Sequence, residues 1–357
     1  MPVAVPVPEL GQFNYVAETQ ENLDWADLIT LNFTLYGTPE GNKQLAETLV
    51  KGVREHGFFY VKNFNISQER VNRQFSLGKQ LYELPLEEKL KYVPVNLDEG
   101  GFNGYVPSGR RILDAESGLR DRTEVYNIPK FDGFFTHNHP AVIQDHLAEI
   151  EEFAKSLHTE VLDPLHVLLA IALELPEDYF LKIHDYSRKS EDHFRYMKYS
   201  KYTPEENAKL GRLWGQGHTD LGSWSLLFRQ PVAALQIRHH TTNEWKWVKP
   251  QDGTLTVNAC DALSFLTGGY VRSTCTGKSV AAPPKDQEHV DRLGILYFSR
   301  PNNDVKLETN TFEESGNPYP PWKKWQRSKN RVRGDPEHAH AQILPGYSES
   351  RMRERRP

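Results

Sequence analysis

The sequence predicts an α+β protein, with helices in its first half and short strands closing a barrel or jelly roll in its second. Three observations carry that reading. Apolar residues recur at helical spacing in two early segments, a longer periodic run extends from Val142 to Leu175, and after His193 short runs alternate with turn residues. Strands that follow one another closely, without helices between them, suit an all-β barrel or jelly roll better than βαβ units.

The elements follow in order. Leu45, Leu49, Val50 and Val53 share one helical face between Asn42 and His56, and Gly57 supplies a stop. Phe58-Phe59-Tyr60-Val61 is an aromatic and β-branched run, read as a strand. Ser67 is placed to cap a second helix through Val71, Phe75 and Leu81. Residues 101–127, rich in Gly, Asp and Arg, read as loops with short strands. In the long run, Ile143, Leu147, Ile150, Leu157, Val161 and Leu168 fall three or four apart or in phase, which predicts a long core helix kinked or broken near Pro164. Strands are then expected at Phe194–Tyr199, Ser225–Phe228, Ala234–Ile237, Trp245–Val248, Leu255–Asn258, Ala262–Phe265 and Gly294–Phe298. The organisation that results is an N-terminal region over 1–135, a long helical segment over 136–190, a strand-rich core over 191–302 and a basic tail over 303–357. Six basic residues and no acid between Lys323 and Arg333 read as a solvated helix tethered by Trp322 and Trp325.

Composition narrows the function. The 357 residues carry 43 Lys+Arg against 48 Asp+Glu, a net charge of −5, which excludes a surface given over to nucleic acid. Hydrophobic residues at 38% and charged ones at 25% fit an ordered globular chain. Two cysteines, Cys260 and Cys275, exclude a disulfide scaffold and a four-cysteine zinc site. The proline-interrupted start MPVAVPVPELGQFNYV lacks a basic n-region, and no apolar run approaches the ~20 residues of a membrane span. A cytoplasmic enzyme or binding protein, with no nucleic-acid or membrane partner, is expected.

Chemistry concentrates in Gly217-His218-Thr219-Asp220-Leu221-Gly222. Residues two apart on a strand point to one side, so His218 and Asp220 can meet one ion. Imidazole plus carboxylate suits iron(II), as two-thirds of a 2-His-1-carboxylate face. Gly277-Lys278-Ser279 is not a phosphate loop, because position 272, where a glycine is needed, is Arg272.

The surrounding motifs widen this signal. Arg195-Tyr196-Met197-Lys198-Tyr199, Gly211-Arg212-Leu213-Trp214 before His218-Thr219-Asp220, Ser225-Leu226-Leu227-Phe228, Ala234-Leu235-Gln236-Ile237, Val257-Asn258-Ala259, Gly268-Gly269-Tyr270, Ala282-Pro283-Pro284 and Asp291-Arg292-Leu293-Gly294 stand in one order. With His56 to Asn63 and Leu84 to Lys89 upstream, residues 25–300 resemble the iron(II)/2-oxoglutarate-dependent dioxygenases of the isopenicillin-N-synthase-like family, of the type found in fungal secondary metabolism. The resemblance implies a double-stranded β-helix (jelly-roll) core flanked by helices. It implies Fe(II) on His218 and Asp220, with 2-oxoglutarate held by Arg292 and Tyr199, and molecular oxygen and a small organic molecule as the other reactants. Oxidative decarboxylation of 2-oxoglutarate to succinate would then be coupled to oxidation of a substrate C–H bond. Arg292 supplies the planar, permanently charged fork that a buried carboxylate needs. Gly294 stands where the family commonly has Ser, and Met197 where plant relatives often have Asn. Tyr105, Tyr126 and Trp224 are expected to line the substrate pocket.

One part of the pattern fails. The family's second histidine falls at the register of Thr276, and the stretch to Pro283-Pro284 is two residues longer. Four readings stay open: Cys275 enters by a one-residue register slip, His289 swings in from the lengthened loop, iron chemistry is lost and the pocket kept, or residues 275–281 reflect a gene-model or splicing error. The rival functions are a metal-free descendant that binds or isomerises a small molecule, and an oxygenase that uses no 2-oxoglutarate.

Overall fold

A computed structural model describes residues 10–307, apart from 136–137, 213, 215–216, 240–241 and 275–281. The chain divides into Met1–Asn317 and Pro318–Pro357, and all the described residues belong to the first unit. The basic run from Lys323 to Arg333 therefore lies outside them.

The first half alternates strands and helices. Strand β1 (Thr30–Asn32) leads to helix α1 (Pro39–Glu55), strand β2 (Phe58–Lys62) and helices α2 (Gln68–Glu83) and α3 (Leu86–Leu90). Strands β3 (Gly104–Val106) and β4 (Thr123–Pro129) follow, then helices α4 (Ala141–Gln144), α5 (Leu147–Leu157), α6 (Asp163–Ala172) and α7 (Tyr179–Ile183). The second half holds β5 (His193–Tyr199), α8 (Pro204–Lys209), β6 (Trp224–Phe228), β7 (Gln236–Arg238) and β8 (Trp245–Trp247). It ends with β9 (Thr254–Ala259), α9 (Asp261–Leu266) and β10 (Arg292–Ser299).

Local chemistry explains the boundaries. Thr38 caps α1 by accepting from the Gly41 N–H, with Pro39 at the first helical position, where a missing N–H costs nothing. Ser67 accepts from Arg70 N at 3.3 Å and starts α2 where expected. The break near Pro164 takes a specific form: a π-helical turn, His158–Leu162, joins α5 to α6. Pro164 offers no N–H and its ring would crowd the carbonyl four residues back, so the widened turn lets the helix pass through the proline instead of ending there.

Eight strands form one sheet in the order β1-β2-β9-β6-β10-β5-β4-β3, antiparallel except for β1 on β2, and β7 and β8 pair separately. The two sheets meet where Phe58 and Tyr60 pack with Ala26, Leu28, Ile237 and Val248. This is the jelly-roll core with flanking helices that the sequence predicts. Two expectations change. The strand expected at Ala234–Ile237 begins only at Gln236. Ala262–Phe265 is not a strand but the body of α9. A four-residue apolar run cannot by itself separate the two periods. Here Ala262, Leu263 and Leu266 are buried at helical spacing, and the carbonyls of Asp220 and Gly222 take the N–H groups of Asp261 and Ala262, both at 2.9 Å.

One face of the large sheet is covered by helices. Phe59, Phe194, Tyr196, Trp224, Leu226, Val257, Ile295 and Tyr297 are all essentially inaccessible on that side. Each such large side chain contributes roughly 1.5–3 kcal/mol on burial. Helix α2 approaches closely enough that a Cβ on Gly78 would lie 2.8 Å from Tyr196 Cδ1. The Tyr196 hydroxyl donates to Gln74 Oε1 of the same helix at 2.7 Å. Among the described residues no helix is long and apolar enough to cross a membrane.

The helical layer also buries histidines. His166 stacks on His184 with ring centroids 4.1 Å apart, and both ring nitrogens of His166 lack hydrogen-bond partners among the described residues. Burial pushes the imidazoles down, His158 to about 3 and His184 to about 4, with His166 and His193 also well below the ordinary value of 6.5. Between those values and 6.5 the unfolded chain binds protons that the folded chain refuses, so stability present above pH 6.5 is lost as the pH falls. Asp163 and Asp192, raised by burial to about 6, act oppositely: folded, they keep protons that the unfolded chain has released above 3.8. Four histidines outweigh two aspartates. Thermal denaturation followed by circular dichroism is expected to show the midpoint falling by at least about 4 °C from pH 7 to pH 5; an unchanged or rising midpoint contradicts the balance.

Candidate active site

The sheet's other face lines a cavity of about 120 Å³. Its walls come from alternate residues: Arg195, Met197 and Tyr199 on β5, Ser225 and Leu227 on β6, Thr256 and Asn258 on β9, and Arg292, Gly294, Leu296 and Phe298 on β10. Phe58, Ala234, Leu235, Gln236, His218 and Asp220 complete the lining.

His218 and Asp220 come together at this cavity, with His218 Nε2 3.7 Å from Asp220 Oδ1, but they do so in the segment before β6 and not on the strand that the spacing argument assumed. The second carboxylate oxygen is committed elsewhere. Asp220 Oδ2 accepts from Ser225 Oγ at 2.9 Å and from Asn258 Nδ2 at 2.8 Å. Ser225 and Asn258 stand directly opposite one another on β6 and β9, so one cross-strand pair fixes the carboxylate rotamer. The backbone is clamped as well. The Thr219 hydroxyl donates to Asp261 at 2.8 Å, and the first N–H groups of α9 take the carbonyls of Asp220 and Gly222. Gly222 allows this closure, because a Cβ there would lie 2.4 Å from the Ser299 carbonyl oxygen of β10. The result is a donor pair with Oδ1 turned toward His218 and Oδ2 held away, an arrangement suited to a cation.

Arg292 lies at the far end. It is 7% exposed, stands opposite Tyr199 in the β5–β10 register, and has its guanidinium carbon 5.4 Å from the Tyr199 ring centroid. Its Nε has no partner, and no carboxylate lies within ion-pair distance of it, among the described residues. Burial lowers its pKa, opposed by Tyr199, and the same burial raises that of Tyr199. A buried, unpaired fork over an aromatic ring fits a carboxylate ligand such as that of 2-oxoglutarate. At Gly294, two residues along, the nearest atom to an added Cβ would be Leu296 Cδ1 at 3.3 Å.

Other residues singled out from the sequence lie elsewhere. Trp224 alternates to the helix-covered face, fully buried, with its ring 6.0 Å from Phe59, so it does not line the cavity. Tyr126 gives its hydroxyl to His139 Nδ1 at 2.8 Å, and Tyr105 bonds Glu124, which pairs with Lys89; neither tyrosine lines the cavity. His289 is exposed outside the cavity, its carbonyl accepting from Lys201 Nζ at 2.9 Å. Cys275 and Thr276 lie outside the described residues. Among the described residues no three His, Cys, Asp or Glu side chains converge as a metal site. Burial raises the Cys260 thiol pKa, which keeps it protonated and inert.

Sequence reasoning gave no role to Arg195, Ser225, Asn258, Thr256 or Gln236. The signal was available for Arg195: stepping back by two from Tyr199 reaches Met197 and then Arg195 on the same face.

A jelly roll with a His-x-Asp pair at one end of its cavity and a buried arginine at the other has the layout of a non-haem oxygenase. Residues 191–301 match the 2OG-Fe(II) oxygenase superfamily, and residues 26–147 match the family described as non-haem dioxygenase in morphine synthesis N-terminal. A UPF0676 protein of Schizosaccharomyces pombe is 30% identical over 278 residues, 76% of this chain and 82% of that one. A 2-oxoglutarate-dependent dioxygenase of Dothideomycetidae sp. is 28% identical over 295 residues, covering 81% of this chain and 86% of its own. A 2OG-Fe(II) oxygenase family protein from Caulobacter crescentus shares the fold at a TM-score of 0.67 and 20% identity, over 86% of this chain and 99% of that one. The chain belongs to the 2OG-Fe(II) oxygenase superfamily.

The support around Asp220 makes a prediction. Asn258→Ala removes one of the two donors on Oδ2, and divalent-metal affinity is expected to fall on the order of 10–100-fold. Manganese(II) titration followed by electron paramagnetic resonance reads this directly; unchanged affinity would show that Asn258 does not orient Asp220.

Proposed function

We propose that the protein oxidises a small organic molecule with oxygen and 2-oxoglutarate, with Fe(II) on His218 and Asp220 and the co-substrate on Arg292 and Tyr199. The observation that carries this is one cavity with a cation-suited donor pair at one end and an unpaired buried guanidinium at the other. When bound, the iron supplies oxygen activation and redox capacity. The chain supplies the rest. Ser225 and Asn258 orient Asp220 so that one oxygen stays available toward His218. Arg292 fixes the distal carboxylate of 2-oxoglutarate by charge and direction, with Tyr199 beside it. Leu227, Leu296, Ala234 and Leu235 contribute apolar walls against which a small organic molecule can pack. Secondary metabolism and a cytoplasmic setting complete the proposal, the first supported by the small-molecule oxygenases among the relatives to which the chain is similar.

Isothermal titration tests the co-substrate site. Arg292→Gln is expected to weaken 2-oxoglutarate binding roughly 10–100-fold, since each lost charge-assisted hydrogen bond is worth about 1.5–3 kcal/mol. Wild-type protein that neither binds 2-oxoglutarate nor releases succinate from it would overturn the proposal in favour of a metal-free or 2-oxoglutarate-independent protein.

The missing histidine makes a second prediction. Two protein donors hold a divalent ion less tightly than three. Thr276→His places imidazole at the family's register, and Fe(II) affinity measured anaerobically is expected to rise on the order of tenfold. No gain would mean that another group already supplies the third ligand.

A further inference from the structure

The cavity holds a second cation that the reaction as proposed does not use. Arg195 enters from the middle of β5, opposite Leu296 of β10 on one side and Asn127 of β4 on the other. Arg292 enters four residues further along the strands, a strand rise of about 13 Å, so the two arginines serve different levels of the cavity.

Every contact that Arg195 makes is neutral. Its Nε donates to Asn127 Oδ1 at 2.7 Å. Its Nη2 donates to His193 Nε2 at 3.2 Å, a direction set by His193 Nδ1, which gives its proton to the Glu191 carbonyl at 3.0 Å. The guanidinium carbon lies 4.3 Å from the Phe298 ring centroid. Nη1 makes no hydrogen bond, and no carboxylate lies within ion-pair distance, among the described residues. Burial pushes the Arg195 pKa down to about 10, with Asp220 a smaller opposing influence.

The fold treats its buried lysines differently from this part-buried arginine. Lys89, with a 7% exposed side chain, meets Glu124 at 2.6 Å, and Lys130, 1% exposed, meets Asp132 at 3.3 Å. Among the described residues these two buried lysines carry internal counter-ions, whereas the two cavity arginines, Arg292 buried and Arg195 part-buried, carry none. There the described lining carries two guanidinium groups and one carboxylate, Asp220. A divalent ion and the 2-oxoglutarate dianion cancel one another, so one positive charge remains once both are bound. Asn127, His193 and Phe298 fix the plane and direction of the Arg195 fork without spending that charge.

We infer that Arg195 binds a carboxylate of the molecule being oxidised, so that the substrate class is a small organic monoacid. This rests on the function proposed above, because the leftover charge is counted after metal and co-substrate are in place. It makes Arg195 a specificity-determining residue.

Binding measurements separate the possibilities. The probes are acetate, propanoate, benzoate and 3-phenylpropanoate, each beside its primary amide, titrated into protein loaded with manganese(II) and 2-oxoglutarate. At least one acid is expected to bind roughly tenfold or more tightly than its amide, by calorimetry and by thermal shift. Arg195→Gln is expected to abolish the difference while leaving 2-oxoglutarate affinity within about twofold, since the two arginines act at separate levels. Asn127→Asp keeps the arginine but gives it an internal counter-ion, and is expected to abolish the preference too; this second variant covers the case in which Arg195→Gln does not fold. Equal binding of acids and amides, no binding of any acid, or a preference that survives in the variants overturns the inference. So does a loss of 2-oxoglutarate affinity in Arg195→Gln that exceeds the loss in Arg292→Gln, which would assign Arg195 to the co-substrate. Wild-type protein that fails to bind 2-oxoglutarate sinks the proposed function instead, and the acid–amide comparison without co-substrate then still decides Arg195.

Discussion

A strand sends successive side chains to opposite faces, and everything described for this protein depends on how one sheet uses that alternation. Along β10, Leu293, Ile295 and Tyr297 go to the helices, whereas Arg292, Gly294, Leu296 and Phe298 go to the cavity. Strand β5 does the same with Phe194 and Tyr196 against Arg195, Met197 and Tyr199. Because the period is two, a one-residue slip of either strand would bury arginines among aromatic side chains and turn phenylalanine and tyrosine into the cavity. The aromatic face thus enforces the register that the chemical face needs. Stability and site geometry are one constraint.

The same logic shows what the sequence made legible. Helices α1 and α2, the strands β5, β6, β9 and β10 and the disturbance at Pro164 followed from periodicity and capping, because each is long or flanked by an unambiguous signal. Helix α9 did not, since its apolar run is short enough to serve either period, and what decides it is tertiary: carbonyls of the 220–222 loop waiting for its first N–H groups. The spacing of His218 and Asp220 pointed to a shared site, although the two meet in the irregular segment before β6 and not on one strand face. The roles of Ser225 and Asn258 were not readable, because they depend on cross-strand register between β6 and β9, which are separated by two further strands in the chain. Trp224 was misplaced for a related reason: proximity in sequence to the metal motif suggested the pocket, but its parity relative to Ser225 sends it to the core.

Two devices hold Asp220, and they act on different degrees of freedom. The loop backbone is fixed by α9 and by the close approach of Gly222 to β10, which sets where the carboxylate starts. Ser225 and Asn258 then set which way it points. A ligand set reduced in number has more need of such preorganisation, because each remaining donor must be delivered without further ordering when the ion arrives. The His218 side chain, 57% exposed, forms the open side of the pair.

The electrostatics of the cavity bear on whether the missing histidine marks a pocket emptied of its chemistry. The described lining residues carry one carboxylate and two guanidinium groups whatever neutral side chain the sequence has at position 276. A pocket that had stopped binding anions would keep the buried Arg292 at a standing cost, since an unpaired buried charge destabilises the fold, and an apolar replacement of similar size would relieve it. Arg292 retains an orphan Nε, and Arg195 is oriented by three neutral partners that do nothing to offset its charge. The charge pattern therefore favours a working dianion site beside a two-donor cation site over a metal-free relic, independently of what stands at position 276.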